Sequence, residues 1–510
     1  MSFELFMTHD SELRNSKRDA SAGTRLLALS AAAFISTYVV VDPDLWGHLR
    51  FGLDTLAARR LTMTDPYSFT QDVPWINHEW LSELVLAGAW RAGGAVGIVL
   101  MKAALLGATF ALLADMARRH IPPAHRWWML AVAIIAVTPS ANTIRPQLWT
   151  LAALAYLGWT LWGHHRFALV PVLFLLWANL HGGWIVGLGV ATSWLVGRFL
   201  DDFVEANGTG NRALLRHAAV LAVSVAATLV NPYGVQLWRF LASTVGVGRE
   251  ITEWRPLWQQ ASLSFAALWL ATSIMAGTTA NTIGIKRVPW AAALPTVWLS
   301  VMSVFVARLV PLFAEVTLLA SAGAWALAGT AGAAGDPRAA APPGAPAPRR
   351  GFLVVDGFVA VLIVGVNLVL ASRCLPVAGD WVPDLEAAAA LAPQAVRGRL
   401  ILPFDWGQFA IWHFGPRLRV SIDGRRETVY SDATVRLQAG VASGTPDGLA
   451  FVAREQPEYL WLPTDSRATA SSWLEPNGYR LDVRTSRSFI ARRADLPALT
   501  TGHPFIACFP

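Results

Sequence analysis

Apolar residues run through most of this chain in long unbroken stretches and give way to an alternating, turn-punctuated pattern only near its end. The stretches lie at 24–41, 93–116, 127–140, 146–163, 167–181, 183–199, 213–230, 261–280, 288–307, 309–330 and 353–372. Segments of that length and polarity cross, or nearly cross, a bilayer as helices, so the pattern predicts about eleven transmembrane helices. Residues 1–23 form a polar tail, and a membrane domain spans 24–330, with a first outer loop over 42–92. The Ala/Gly/Pro-rich stretch 331–350 reads as a flexible tether. A last span follows at 351–373, and 380–510 has the composition of a water-soluble domain. In that domain the pattern predicts a helix over Asp384–Val396 and strands over Arg399–Leu402, Leu418–Asp423 and Glu458–Leu462. A terminal hairpin is expected over Tyr479–Arg492. The predicted fold is an all-α polytopic membrane domain followed by a small extracytoplasmic α/β domain.

Two polar interruptions concentrate reactive side chains. Asp42-Pro43-Asp44-Leu45-Trp46-Gly47-His48-Leu49 follows directly on the first apolar run, and Asn77-His78-Glu79-Trp80 precedes the second. Polar groups at a membrane boundary are costly unless they face an aqueous cavity or a partner, which makes them candidate functional residues. Asp44 and His48 are spaced i, i+4 and so share one helix face. Residues 42–60 and 78–92 are expected to form short helices on the membrane surface that turn Asp44 and Glu79 toward one cavity.

Charge then fixes an orientation. The N-terminal tail carries Arg14, Lys17, Arg18 and Arg25, and alternating the spans puts the compact basic runs on that same side. These runs are Arg118-Arg119-His120, His164-His165-Arg166, Arg198 to Arg216, Lys286-Arg287 and Arg349-Arg350. The positive-inside bias makes that side cytoplasmic and the C-terminal domain extracytoplasmic. Composition agrees, with 54% hydrophobic residues, only 15% charged and 24 Trp, a residue that gathers at membrane interfaces. The formal charge of +7 is spread over loops and not gathered in a patch, so it reads as topology and not as nucleic-acid binding. No small-residue cleavage site follows the first run, which reads as a retained anchor. The two cysteines, Cys374 and Cys508, form no metal motif; an oxidising compartment would let them pair.

With this topology Asp42, Asp44, His48, His78, Glu79, Arg145, His181, Glu253, Arg255 and Arg308 all fall on the outer side. One-sided clustering favours a chemical site at the membrane surface over a transport path. Plainer readings exist for several of them. Asp42 followed by Pro43 is a good helix start, and Glu79 with Glu83 would suit the wet face of an amphipathic helix. Arg145 and Arg308 near span ends would snorkel, and His181 beside Gly182-Gly183 would fill a close helix contact. Asp405 would cap a helix starting at Trp406, with Trp406 in the core.

The outer-loop motif Asp42 to His48, Thr64-Asp65-Pro66-Tyr67-Ser68-Phe69-Thr70 and Trp75-Ile76-Asn77-His78-Glu79-Trp80 resemble a bacterial family of multi-spanning membrane proteins. That family is similar to the GT-C superfamily of integral-membrane glycosyltransferases. Arg145-Pro146-Gln147, Asn231-Pro232-Tyr233-Gly234, Glu253-Trp254, Arg308 to Pro311 and Asp405-Trp406-Gly407 fit the same resemblance. Asp405-Trp406 also partly resembles the Trp-Trp-Asp signature of oligosaccharyltransferases, with Phe404 in place of the first Trp. The resemblance implies a bacterial inner-membrane enzyme that moves a sugar from a polyprenyl-phosphate donor to an extracytoplasmic glycan, lipid or protein. It implies an outer-loop acid as base: Asp44 first, then Asp42 and Glu79, with His48 beside them. It also implies Arg145, Arg255 and Arg308 on the phosphate, with His78, His181, Glu253, Asp405 and Trp406 around the substrates. A divalent cation, Mg²⁺ or Mn²⁺, is expected in some such enzymes, and here Asp44, His48, His78 and Glu79 would hold it. The alternatives are a lipid-linked glycan polymerase or ligase working through Arg and His without an acidic base, or a non-enzymatic scaffold or transporter.

Overall fold

Each apolar run carries a helix in the computed structural model, which describes residues 22–163, 165–204, 211–244, 252–335, 350–377, 379–464, 471–500, 502 and 505–510. After α1 (Ala22–Thr37) come α2 (Asp44–Ala58), α3 (Trp80–His120), α4 (Pro123–Ala136) and the single turn α5 (Thr138–Ala141). Then follow α6 (Gln147–Gly163), α7 (Val170–Leu180), α8 (Trp184–Val204), α9 (Asn211–Ala227) and α10 (Val235–Thr244). The membrane part ends with α11 (Ser264–Ile283), α12 (Trp290–Phe305), α13 (Val310–Gly335) and α14 (Arg350–Arg373). Among the described residues, three helices are long and apolar enough to cross a membrane by themselves: Trp80–His120, Ala307–Gly329 and Val354–Arg373. The expected number was larger. Several runs lose length to turns at their ends, as at Pro122, which lacks a backbone donor, and at the Gly182-Gly183 turn.

α13 is the central helix, packed against α3, α4, α6, α11 and α12. Gly323 lets it approach α6, because a Cβ there would lie 2.6 Å from the Trp162 ring. α14 lies at the periphery with Val354, Phe358 and Val361 exposed, as a lipid-facing helix should. It is riveted to α1 by an Arg25–Asp356 ion pair at 2.6 Å and by Asn367 donating to Thr37 at 2.9 Å.

One sequence expectation is met here and one needs correction. The short helix expected over 78–92 starts at Trp80 and ends at a kink at Gly93-Gly94, where Gly94 takes φ +56°; beyond the kink a second helix, counted with it in α3, runs on to His120. The tether proposed for 331–350 starts late, since 331–335 extend α13; residues 336–349, like 1–21, lie outside the described residues.

The C-terminal domain is α/β, as its alternating pattern predicted. Its strands are β1 (Leu375–Pro376), β2 (Gly398–Ile401), β3 (Leu418–Val420), β4 (Tyr459–Pro463), β5 (Tyr479–Arg484), β6 (Ser488–Arg493) and β7 (Cys508–Phe509). The main sheet has the order β3-β2-β4-β6-β5, with β2 parallel to both neighbours and β4, β6 and β5 antiparallel. Helices α15 (Leu385–Ala390), α16 (Gly407–Phe414), α17 (Asp432–Ser443) and α18 (Pro446–Glu455) cover it. The helix expected from Asp384 is shorter than predicted; Asp384 caps it by accepting the Ala387 N–H. A disulfide joins Cys374 to Cys508 and clasps β1 to β7 directly after α14.

The two parts share a core. Trp46, Leu49 and Phe51 of α2 pack with Phe409, Ala410 and Val420 of the C-terminal domain. The loop between α2 and α3 adds itself to the sheet at edge strand β3: the Phe69 N–H donates to the Val420 carbonyl at 3.2 Å, and the Val420 N–H donates to the Tyr67 carbonyl at 2.9 Å. Beside that seam, Arg425 grips Asp65 (2.7 and 2.8 Å) and Asp423 (2.7 and 2.8 Å) under the rings of Phe51, Tyr67 and Trp75.

Candidate functional site

Where α1 ends and α2 begins, Asp42 does two things at once. One carboxylate oxygen accepts the Asp44 N–H at 3.0 Å and so shapes the helix start, as its sequence position suggested. The other accepts from Arg145 Nε. Arg145, in the turn before α6, also places Nη2 3.1 Å from Asp44 Oδ2 and Nη1 3.9 Å from Glu253 Oε1. Glu253 is shared: Arg308 Nη1 donates to the same oxygen at 2.6 Å. Arg308 in turn donates to Gln147 Oε1 at 2.5 Å and lies over the Trp254 ring at 5.5 Å. Neither arginine merely snorkels.

One turn along α2 from Asp44, His48 enters a second group built around Glu79. Three imidazoles surround that carboxylate, with Nε2 of His48 at 3.9 Å, of His78 at 3.6 Å and of His181 at 3.7 Å. His48 Nδ1 stands 3.3 Å from Glu83 Oε1, and Asn77 Nδ2 donates to the other Glu83 oxygen at 2.6 Å. The Asn77 backbone N–H donates to the Tyr233 hydroxyl oxygen at 3.0 Å, which ties the Asn231-Pro232-Tyr233-Gly234 turn to the site.

Burial and charge assign the protons. Burial alone would favour a neutral His48, but its hydrogen bond to Glu83 and the charges of Glu79 and Glu83 raise it to about 9, so it is an imidazolium at neutral pH. His181 is lowered to about 3, chiefly by burial, and is neutral. Its Nδ1 accepts the Gly183 N–H at 3.1 Å and faces Thr150 Oγ1 at 2.7 Å, which leaves the proton on Nε2, toward Glu79. Burial pushes Glu79 up, yet the surrounding His78, His48, His181 and Arg308 outweigh it and keep the acid ionised. Arg145 is likewise held charged by Asp42, Asp44 and Glu253 against the effect of burial.

Asp42, Asp44, Glu79, Glu83 and Glu253 thus face Arg145, Arg308 and the charged His48, and carboxylates outnumber cations by two. The donor set expected for a divalent cation does not fit as arranged. Glu79, His48 and His78 meet at ion-pair distances, Asp44 turns instead to Arg145, and the nearby His181 offers a protonated Nε2. Among the described residues, no group of three or more such ligands is gathered to hold a metal ion.

The structure therefore brings together Asp42, Asp44, His48, His78, Glu79, Arg145, His181, Glu253 and Arg308. Arg255 is exposed, and its backbone carbonyl accepts the Ala307 N–H. Asp405 is exposed and caps no helix, and Trp406 packs in the C-terminal core 4.7 Å from Trp461. No hydrogen bond or ion pair described here joins those three side chains to the cluster. Glu83, Asn77 and Gln147 belong to it although the sequence did not single them out as ligands. Glu83 is 3% exposed and so not on the wet face of a helix. Its i, i+4 spacing from Glu79 was the available signal.

No protein-family model matches the chain, and no curated protein sequence matches it. Its fold is similar to solved structures. One is the oligosaccharyltransferase of Archaeoglobus fulgidus in its apo form, with a TM-score of 0.56 at 12% identity over 93% of this chain and 75% of that one. Another is ArnT from Cupriavidus metallidurans in its apo state, with a TM-score of 0.52 at 13% identity over 91% of this chain and 96% of that one. This chain shares the fold of both, and among its described residues three helices are long and apolar enough to cross a membrane.

Proposed function

We propose that this protein is a glycosyltransferase that moves a sugar from a polyprenyl-phosphate donor to a hydroxyl of an extracytoplasmic glycan, lipid or protein. Asp44 is the general base. One observation carries the reading: Asp44 is the most exposed carboxylate of the cluster, at 28%, and stands 3.1 Å from an arginine fixed by a second acid. A base must reach its acceptor, and a lipid phosphate at the bilayer surface needs a cation beside that base. The acceptor oxygen attacks the anomeric carbon, the bond from that carbon to the phosphate oxygen breaks, and polyprenyl phosphate leaves. The acceptor proton passes to Asp44. Arg145 and Arg308 bear on the phosphate, with Arg255 exposed next to Glu253-Trp254 in the chain. Because Glu253 occupies both arginines, the donor phosphate must displace it from at least one.

The protein belongs, on this reading, in the bacterial inner membrane with its N-terminus cytoplasmic and its C-terminal domain outside. The Cys374–Cys508 disulfide supports that side, since such bonds persist in oxidising compartments. The test is transfer from radiolabelled polyprenyl-phosphate sugars by purified variants. Asp44→Asn keeps size and hydrogen bonding but removes the proton acceptor, and the expected loss in rate is ~10²–10⁴-fold with donor binding retained. Near-normal turnover in Asp44→Asn would show that no base acts there and would favour a polymerase or ligase working through Arg and His.

A further inference from the structure

We propose that Gln147, the first residue of α6, is a positioning residue that holds Arg308 for the donor phosphate without cancelling its charge. The inference rests on the reading of the site as one for a lipid-linked phosphate. Gln147 is only 7% exposed. Its Nε2 donates to the Ser140 carbonyl at 2.8 Å, and its Oε1 accepts from Arg308 Nη2 at 2.5 Å. Only one setting of the amide satisfies both neighbours, since the carbonyl needs a donor and a guanidinium has no acceptor to offer. The other terminal nitrogen of Arg308 donates to Glu253 at 2.6 Å, and the guanidinium lies over the Trp254 ring at 5.5 Å. Arg308 is thus held by one neutral acceptor, one ring and one acid, and its side chain is 22% exposed.

The two arginines of the cluster differ in what remains when Glu253 gives way. Arg145 keeps Asp42 and Asp44. Arg308 keeps Gln147 and the Trp254 ring, neither of which carries a charge. Glu79, which also feels Arg308, is ringed by His48, His78 and His181 at 3.6–3.9 Å. Arg308 is therefore the cation with charge to spare for a phosphate, and Gln147 keeps it in place during the exchange. An acid at position 147 would grip the guanidinium as firmly but neutralise it, as two aspartates do to Arg425. A carboxylate and a phosphate compete for the same charge-assisted bonds, whereas a neutral amide oxygen on the other nitrogen leaves the charge available.

The experiment titrates the full-length protein in detergent with undecaprenyl phosphate and with undecaprenol, which lacks the phosphate. Gln147→Met removes the acceptor without adding charge and should weaken binding of undecaprenyl phosphate about tenfold. Gln147→Glu keeps the shape and the acceptor but gives Arg308 a second acid, and should weaken binding about a hundredfold. Undecaprenol has no charge to recognise and should bind all three proteins alike; a matching loss of its affinity in both variants would mean a collapsed site and overturn the assignment. A merely structural Gln147 gives the opposite order, since Glu preserves its shape and Met does not. Gln147→Glu binding undecaprenyl phosphate at least as tightly as Gln147→Met therefore overturns the assignment of Gln147 alone. Should Gln147→Glu fail to fold, wild-type affinity in Gln147→Met does the same. Wild-type protein that binds undecaprenol as tightly as undecaprenyl phosphate overturns the reading of the site, and the inference with it.

Discussion

Two arginines in this protein are each held by a pair of aspartates, and they have opposite surroundings. Arg425 is 6% exposed, its partners Asp65 and Asp423 are fully buried, and three aromatic rings close over it at 4.9–5.4 Å. Arg145 is 22% exposed, and of its partners Asp42 is fully buried while Asp44 is 28% exposed. Around Arg425 each donor finds an acceptor of defined geometry and water is kept out, so the charges can only hold two bodies together. Around Arg145 one carboxylate is anchored and the other reaches solvent. The same residue types make a rivet in one place and, on the function proposed above, a reactive surface in the other, and access separates the two.

The comparison is broken most directly by removing one charged group from each set. Asp44→Asn should lose transfer by orders of magnitude and keep its fold, whereas Arg425→Met should lose the fold at the seam. Leaving Asp65 and Asp423 buried without their cation costs about 3–5 kcal/mol. Thermal unfolding and limited proteolysis between the membrane part and the C-terminal domain would register it, and an unchanged melting curve would show that the seam is held by the shared apolar core instead. A smaller effect is expected from Arg308→Ala. Losing one charged partner of the donor phosphate weakens binding by about 1.5–3 kcal/mol, measurable by titrating polyprenyl phosphate, with less effect on the bound-state rate. Unaltered affinity would move the phosphate site away from Glu253.

The smallest effect is on stability against pH, and the imidazole group sharpens it because two of its members oppose each other. His48 is raised in the fold to about 9 from an ordinary 6.5, so its contribution is complete below about 6.5 and is lost as pH climbs toward 9. His181 is lowered to about 3, so the unfolded chain gains a proton that the fold refuses, and stability falls as pH drops below about 6.5. Melting temperatures of the detergent-solubilised protein should therefore decline on both sides. His48→Gln should flatten the alkaline side and His181→Gln the acidic one. Loss of both sides in a single variant would mean that the two rings are not independent.

Much of this was legible in the chain. Apolar runs located the helices because burial in lipid demands length and apolarity, both local properties. The strand from Leu418 showed through alternation and those from Arg399 and Glu458 as short apolar runs, also local signals. Asp42, Asp44, His48 and Glu79 stood out because charge beside a span is expensive. What stayed hidden was pairing at a distance. Asp65 and Arg425 are 360 residues apart, and no periodicity links them. Gln147 reads as an ordinary polar helix residue until Ser140 and Arg308 take the two ends of its amide. Glu83 looked solvated because helical spacing shows which residues share a face, not what covers that face.

The seam between Tyr67–Phe69 and β3 also has a consequence for how the chain must be made. The loop that completes the sheet edge is synthesised near the beginning, and Val420 arrives some 350 residues later, so the first loop must wait across the whole insertion of the membrane part. Contacts of such sequence separation form slowly. The C-terminal domain is accordingly no portable module: cut free, it would present a bare β3 edge, a template for aggregation. In a lineage of such proteins the first loop and the last domain would have to be inherited together, since exchanging either alone breaks a strand pairing and strands a buried arginine.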